Sequence, residues 1–250
     1  MVLRVDRYFF HLLATACLSA AITQDVRAAD VAYPLKSAPL IQIPQSWAGL
    51  YVGGQLGYGT DAVGWRNLGV SSLFSPPNSL TRDRGGGVTG GGQIGYNFQF
   101  NRLVLGAEGS VSAAGFDRSF TSPYFPATDV WSSKLTWLGT ATGRIGYSLD
   151  NWLPYIKGGL AAGNVDTSMV NSATGAFSQS SAVHAGWTLG GGVEVKIAPK
   201  VSLGLEFMHT DLGRKNDIGG AQPGTGTTES YGVTARSNSF MARFNYLFGN

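Results

Sequence analysis

The chain has 250 residues, 13% charged and 12% aromatic, with 36 glycines and a formal net charge of +3. Soluble domains carry roughly 25% charged residues and about 7% glycine, so this balance excludes an ordinary soluble enzyme. No run of 18 or more apolar residues occurs, which excludes a helical membrane protein.

Residues 1–28 read as a signal peptide. Arg4 and Arg7 give a basic start, Phe9 to Ile22 is mostly apolar, and Val26-Arg27-Ala28 suits cleavage after Ala28. Cys17 lies in the removed part, so the mature chain has no cysteine and no disulfide framework. Cleavage also leaves 15 basic and 13 acidic residues, or +2. The basic residues are scattered, so no nucleic-acid partner is expected. Residues 29–46 carry Pro34, Pro39 and Pro44 and read as an extended periplasmic linker. Residues 47–250 then form the barrel domain argued below.

Eight strands are expected, at about 48–58, 87–98, 103–113, 134–148, 153–165, 184–197, 201–212 and 236–248. Alternation is clearest in the sixth, where Trp187, Leu189, Gly191, Val193, Val195 and Ile197 oppose Thr188, Gly190, Gly192, Glu194 and Lys196. The last strand sets Phe240, Ala242, Phe244, Tyr246 and Phe248 against Met241, Arg243, Asn245 and Leu247. Such two-faced strands fit either a soluble sandwich or a membrane barrel. The connections decide between them. Those near 99–102, 150–152 and 198–200 are tight, whereas 59–86, 114–133, 166–183 and 213–235 are long and polar. Short periplasmic turns alternating with longer extracellular loops mark a transmembrane barrel, with both termini in the periplasm. The expected fold is all-β: an eight-stranded antiparallel up-and-down transmembrane β-barrel.

The aromatics fit that frame. Tyr96, Phe98, Phe100, Tyr147, Trp152, Tyr155, Tyr246 and Phe248 recur at the same end of successive strands, where rings favour the membrane interface. The polar faces carry Glu108, Lys134, Arg144, Lys157, Glu194, Lys196, Glu206 and Arg243. Eight strands leave an interior only wide enough for side chains to fill. Charges there must pair. Glu108, Glu194 and Glu206 with Arg144, Lys157 and Arg243 are therefore read as a lumenal ion-pair network. Lys134 and Lys196 are placed near the strand ends, reaching water.

Catalytic and ligand motifs are thin. Acyl hydrolysis needs a nucleophile, a histidine and a carboxylate within reach. The mature chain has only His184, opening strand six, and His209, at the outer end of strand seven, and His209 has no serine beside it. Gly90-Gly91-Gly92-Gln93-Ile94-Gly95 matches G-x-G-x-x-G formally, but it runs on as strand, so no dinucleotide site is read. The loop acids Asp61, Asp83, Asp129 and Asp217 have no metal-ligand spacing. No enzyme activity, cofactor or metal is expected.

Five motifs carry a family resemblance: Trp47 to Gly59 (WAGLYVGGQLGYG), Gly90 to Gln99 (GGGQIGYNFQ), Leu153 to Ala161 (LPYIKGGLA), Glu206 to Gly213 (EFMHTDLG) and the ending FNYLF. In order and spacing the chain resembles the outer-membrane immunogenic proteins of alphaproteobacteria, of the small OmpA-like transmembrane barrel superfamily. The resemblance implies a monomeric or weakly associated barrel, inserted by the barrel assembly machinery among outer-membrane lipid and lipopolysaccharide. It implies a structural and surface role in envelope integrity. Narrow pore activity, or loop binding of a ligand such as haem or of an adhesion partner, is the alternative. Two departures stand out. Gly249 and Asn250 follow the terminal aromatic Phe248, and His209 replaces an expected aromatic or arginine.

Overall fold

A computed structural model describes residues 46–69, 74–175, 177–221 and 228–248. The expected signal peptide, and the linker as far as residue 45, lie outside the described residues. Eight strands follow in chain order: β1 (Gly49–Asn67), β2 (Leu80–Phe100), β3 (Leu103–Thr121), β4 (Asp129–Tyr147), β5 (Trp152–Asn171), β6 (Phe177–Ala198), β7 (Val201–Ala221) and β8 (Thr228–Leu247). Each pairs antiparallel with its sequence neighbours, and β8 pairs with β1 to close the barrel. Gly53 lies opposite Asn245 and Tyr51 opposite Leu247 at that seam. Closure leaves no unpaired strand edge, which a bilayer requires.

The tight turns form where expected. Asn101 (φ 55°) and Asp150 (φ 54°) take the left-handed conformation in two of them, which Asn and Asp tolerate better than most residues. Pro199 and Lys200 make the third.

The long connections are a correction. Strands run 19 to 22 residues, about twice the 9–11 that a tilted strand needs to cross a bilayer. Most of the expected loops 59–86, 114–133, 166–183 and 213–235 is strand, leaving only 68–79, 122–128, 172–176 and 222–227 between strands. The reason is a change of side. In β1, Leu50, Leu56 and Tyr58 face outward, while Tyr51 and Gln55 face inward. Beyond Asp61 the inward positions become apolar, with Val63 and Trp65 buried, and the outward positions become small, Ala62 and Gly64, ending at exposed Arg66. β8 does the same in mirror order, with Tyr231, Val233 and Ala235 inside and Arg236 outside. Where hydrocarbon surrounds the barrel, apolar side chains point out. Where water surrounds it, they point in.

Bulges explain one further correction. The register shifts between Ala113 and Phe116 in the β3–β4 pairing, and between Leu135 and Trp137 in the β4–β5 pairing. An extra residue swaps the faces. Leu135, expected on the outward apolar face, is therefore buried, while Lys134 reaches water as expected and pairs with Asp117 at 3.5 Å. Tyr155, grouped with the rim aromatics, points inward and is buried. Lys196 reaches the carbonyl of Ser46 and lies over the Trp47 ring, 7% exposed rather than free in water.

Candidate functional site: a filled barrel interior

The interior is layered along its length. Nearest the short turns, Trp47, Tyr51, Val104, Leu153 and Leu247 form an apolar base. Asn97 donates to the Trp47 carbonyl at 3.0 Å, tying the residues ahead of β1 across the opening.

Above the base sits the charged layer. All six residues expected to be lumenal, Glu108, Arg144, Lys157, Glu194, Glu206 and Arg243, are buried inside the barrel, each 5% exposed or less. They come from β3, β4, β5, β6, β7 and β8, one per strand, so no stretch of sequence contains the layer. Arg243 bonds Glu108 through one guanidinium nitrogen and Glu206 through another. Lys157 lies 2.8 Å from both carboxylates. Arg144 bonds Glu194 at 2.8 Å and Asn97 at 2.9 Å. Three anions and three cations balance.

Two tyrosines complete the layer, and both were missed as lumenal residues in the sequence. The Tyr51 hydroxyl donates to Glu108 at 2.7 Å and the Tyr155 hydroxyl to Glu206 at 2.6 Å. The Arg144 guanidinium lies between their rings, 4.7 Å from one centroid and 5.2 Å from the other. Strand parity was the available signal: Tyr155 shares its face with Lys157, and Tyr51 with Gln55.

Next comes a polar layer with residues such as Gln55, Ser112, Thr188 and Thr210. Gln55 donates to Ser112 at 2.7 Å. The space left there is about 20 Å³, room for roughly one water.

The far half is closed by aromatics. Trp65, Phe120, Trp131, Tyr124 and Tyr231 pack with ring centroids 5.5 to 6.4 Å apart. Phe74, Met169 and Leu212 join the same cluster. At its rim Asp129 is buried, which pushes its carboxyl above the ordinary range, while bonds from Thr128 and Asn171 act the other way.

The remaining candidates disperse. His209 lies mid-strand on the outer face, its ring 5.4 Å from Trp187 and its Nδ1 2.7 Å from Asn238. His184 is buried inside β6 rather than opening it. Among the described residues no cluster of His, Cys, Asp and Glu could hold a metal ion. Outside the barrel, Tyr96, Phe98, Tyr147, Trp152, Tyr246 and Phe248 are exposed near the short turns. Tyr96 stacks with Phe98 at 4.8 Å and Tyr246 with Phe248 at 5.0 Å.

A closed barrel with an apolar outer belt and a charge-balanced interior defines an outer-membrane β-barrel protein. The chain belongs to the family described as "Outer membrane protein beta-barrel domain", whose profile matches residues 12–248. It is similar to the alphaproteobacterial proteins anticipated from its motifs. The 31 kDa outer-membrane immunogenic protein of Brucella melitensis is 33% identical over 211 residues, covering 80% of this chain and 87% of that one. The 25 kDa outer-membrane immunogenic protein of Brucella abortus is 29% identical, covering 84% and 87%. Among solved structures, the outer membrane protein OprG of Pseudomonas aeruginosa shares the fold. It matches at 10% identity with a TM-score of 0.51, covering 81% of this chain and 97% of that one.

Proposed function

We propose that the protein is a non-enzymatic, non-conducting structural barrel of the outer membrane that presents its far end at the cell surface. The filled interior carries this reading. A charge-balanced layer, a polar layer with about 20 Å³ of space and an aromatic cluster lie in series along the lumen. A solute would have to displace all three. The relatives named as immunogenic outer-membrane proteins support surface exposure.

In this reading the short turns and both termini lie in the periplasm, and the expected cleavage after Ala28 leaves residues 29–46 as the periplasmic linker. Tyr96, Phe98, Tyr147, Trp152, Tyr246 and Phe248 form the inner interfacial girdle. Phe248, whose N–H bonds the Leu50 carbonyl at 2.7 Å, ends the strand offered to the assembly machinery.

Conductance of the folded protein in a planar bilayer tests the proposal. Folded protein is expected to give no reproducible steps above leak. Steps of defined size would replace this reading with that of a narrow porin.

A further inference from the structure

The charged layer is built twice. Across β1 to β4, Tyr51, Gly95, Glu108 and Thr142 form one cross-strand row. Across β5 to β8, Tyr155, Gly192, Glu206 and Met241 form the matching row. In each row a Cβ on the glycine would strike the tyrosine hydroxyl. The ring therefore lies across the glycine and bonds the glutamate beyond it. Two residues nearer the short turns stand Asn97 and Arg144 in one half, and Glu194 and Arg243 in the other. The sequence repeats accordingly, with Leu105-Gly106-Ala107-Glu108 matching Leu203-Gly204-Leu205-Glu206.

The two halves are related by a pseudo-twofold axis along the lumen, and each arginine bridges a pair of equivalent positions. Arg243 joins Glu108 to Glu206. Arg144 joins Asn97, at 2.9 Å, to Glu194, at 2.8 Å. Its guanidinium also lies between the equivalent rings of Tyr51 and Tyr155.

Two features break the symmetry. The counterpart of Lys157 in the first half is Gly53. The two seams also differ by two residues. Arg144 stands opposite Lys157 across β4 and β5, whereas Arg243 stands opposite Gln55, two residues beyond Gly53. That offset carries Arg243 away from the short turns, toward the glutamate pair, and leaves Arg144 with the pair below.

We infer that the layer has a second arrangement with the arginines exchanged. In it Arg144 lies between Glu108 and Glu206, and Arg243 lies between Asn97 and Glu194. Both arrangements hold the same three anions and three cations and leave no carboxylate unpaired, which is the costly outcome inside a barrel. The seam offset makes the observed arrangement the major one. The exchange breaks several buried bonds together, which places it among microsecond-to-millisecond motions. The aromatic cluster takes no part, so the device belongs equally to a silent or a conducting barrel.

Urea unfolding of full-length variants in lipid vesicles tests the exchange. Glu194→Gln alone strands Arg144 and should lower the midpoint. Arg243→Met alone leaves one carboxylate unpaired in either arrangement. Adding Glu194→Gln to Arg243→Met should raise the midpoint, because Arg144 can then move to Glu108 and Glu206 with no charge left over. Were Arg144 fixed beside Asn97, the same addition would strand a cation too, and a further fall overturns the inference. A crystal structure of the double variant reads the cause. Arg144 is expected within about 3 Å of both carboxylates, and Arg144 still beside Asn97 overturns the inference. Should the double variant not fold, side-chain NMR of arginine-labelled wild type decides. Arg144 and Arg243 are expected to exchange at one shared rate with a minor state of roughly 1–10%. Two static signals, or two unrelated rates, overturn it.

Discussion

Arg243→Met is expected to lower the unfolding free energy by about 3–5 kcal/mol, the usual cost of breaking a buried ion pair by removing one partner. Arg243 is fully buried and bonds both Glu108 and Glu206. Without it, two carboxylates share the one ammonium of Lys157, and the Tyr155 hydroxyl loses a donor at 3.0 Å. The surplus negative charge stays buried, Glu108 and Glu206 being 4% and 1% exposed. Adding Glu206→Gln restores the balance of Glu108 with Lys157 and of Glu194 with Arg144. The double variant should therefore be more stable than the sum of the two single losses, with a coupling of about 1–3 kcal/mol. Urea unfolding in lipid vesicles measures both quantities. An unchanged midpoint for Arg243→Met, or strictly additive losses, would show that the network contributes nothing as a unit.

The second large effect is steric. Gly91 sits on β2 opposite Ser112, where the neighbouring strand comes so close that a Cβ would overlap the Val111 carbonyl oxygen. That oxygen belongs to the backbone and cannot yield without opening the β2–β3 ladder. Gly91→Val is expected to destabilise by about 3 kcal/mol, the upper part of the overpacking range, and to reduce the form that migrates differently before and after heating in detergent gels. Gly109 supplies the control on the neighbouring strand. A Cβ there meets nothing within 4 Å, so Gly109→Val should stay within about 0.5 kcal/mol of wild type. Equal behaviour of the two variants would mean that backbone approach at Gly91 does not limit closure.

The halves of the strands nearest the short turns were legible because one rule governs them, apolar toward lipid and polar toward the lumen. Phe240 to Phe248 shows it residue by residue. The far halves were read as loops for a physical reason. Segments such as Asp61 to Asn67 and Tyr231 to Arg236 keep the alternation but invert it, and their outward positions hold Ala62, Gly64, Gly232 and Thr234. Small and polar residues resemble loop composition unless parity is followed through the inversion. Leu135 changes face for a related reason, because a bulge resets parity without a mark in the local sequence.

By itself the sequence determined the strand number, the order of turns, the apolar belt and the charge balance of the lumen, since each follows from local alternation and residue type. The tertiary structure alone decided which cation meets which anion. Six strands each contribute one charge, and only the stagger of a closed barrel sets Arg243 between Glu108 and Glu206 and sends Arg144 to Glu194. It decided equally that Trp65, Trp131 and Tyr231, far apart in the chain, close the lumen together. Alternation fixes the face on which a side chain lies, and closure fixes what it meets there.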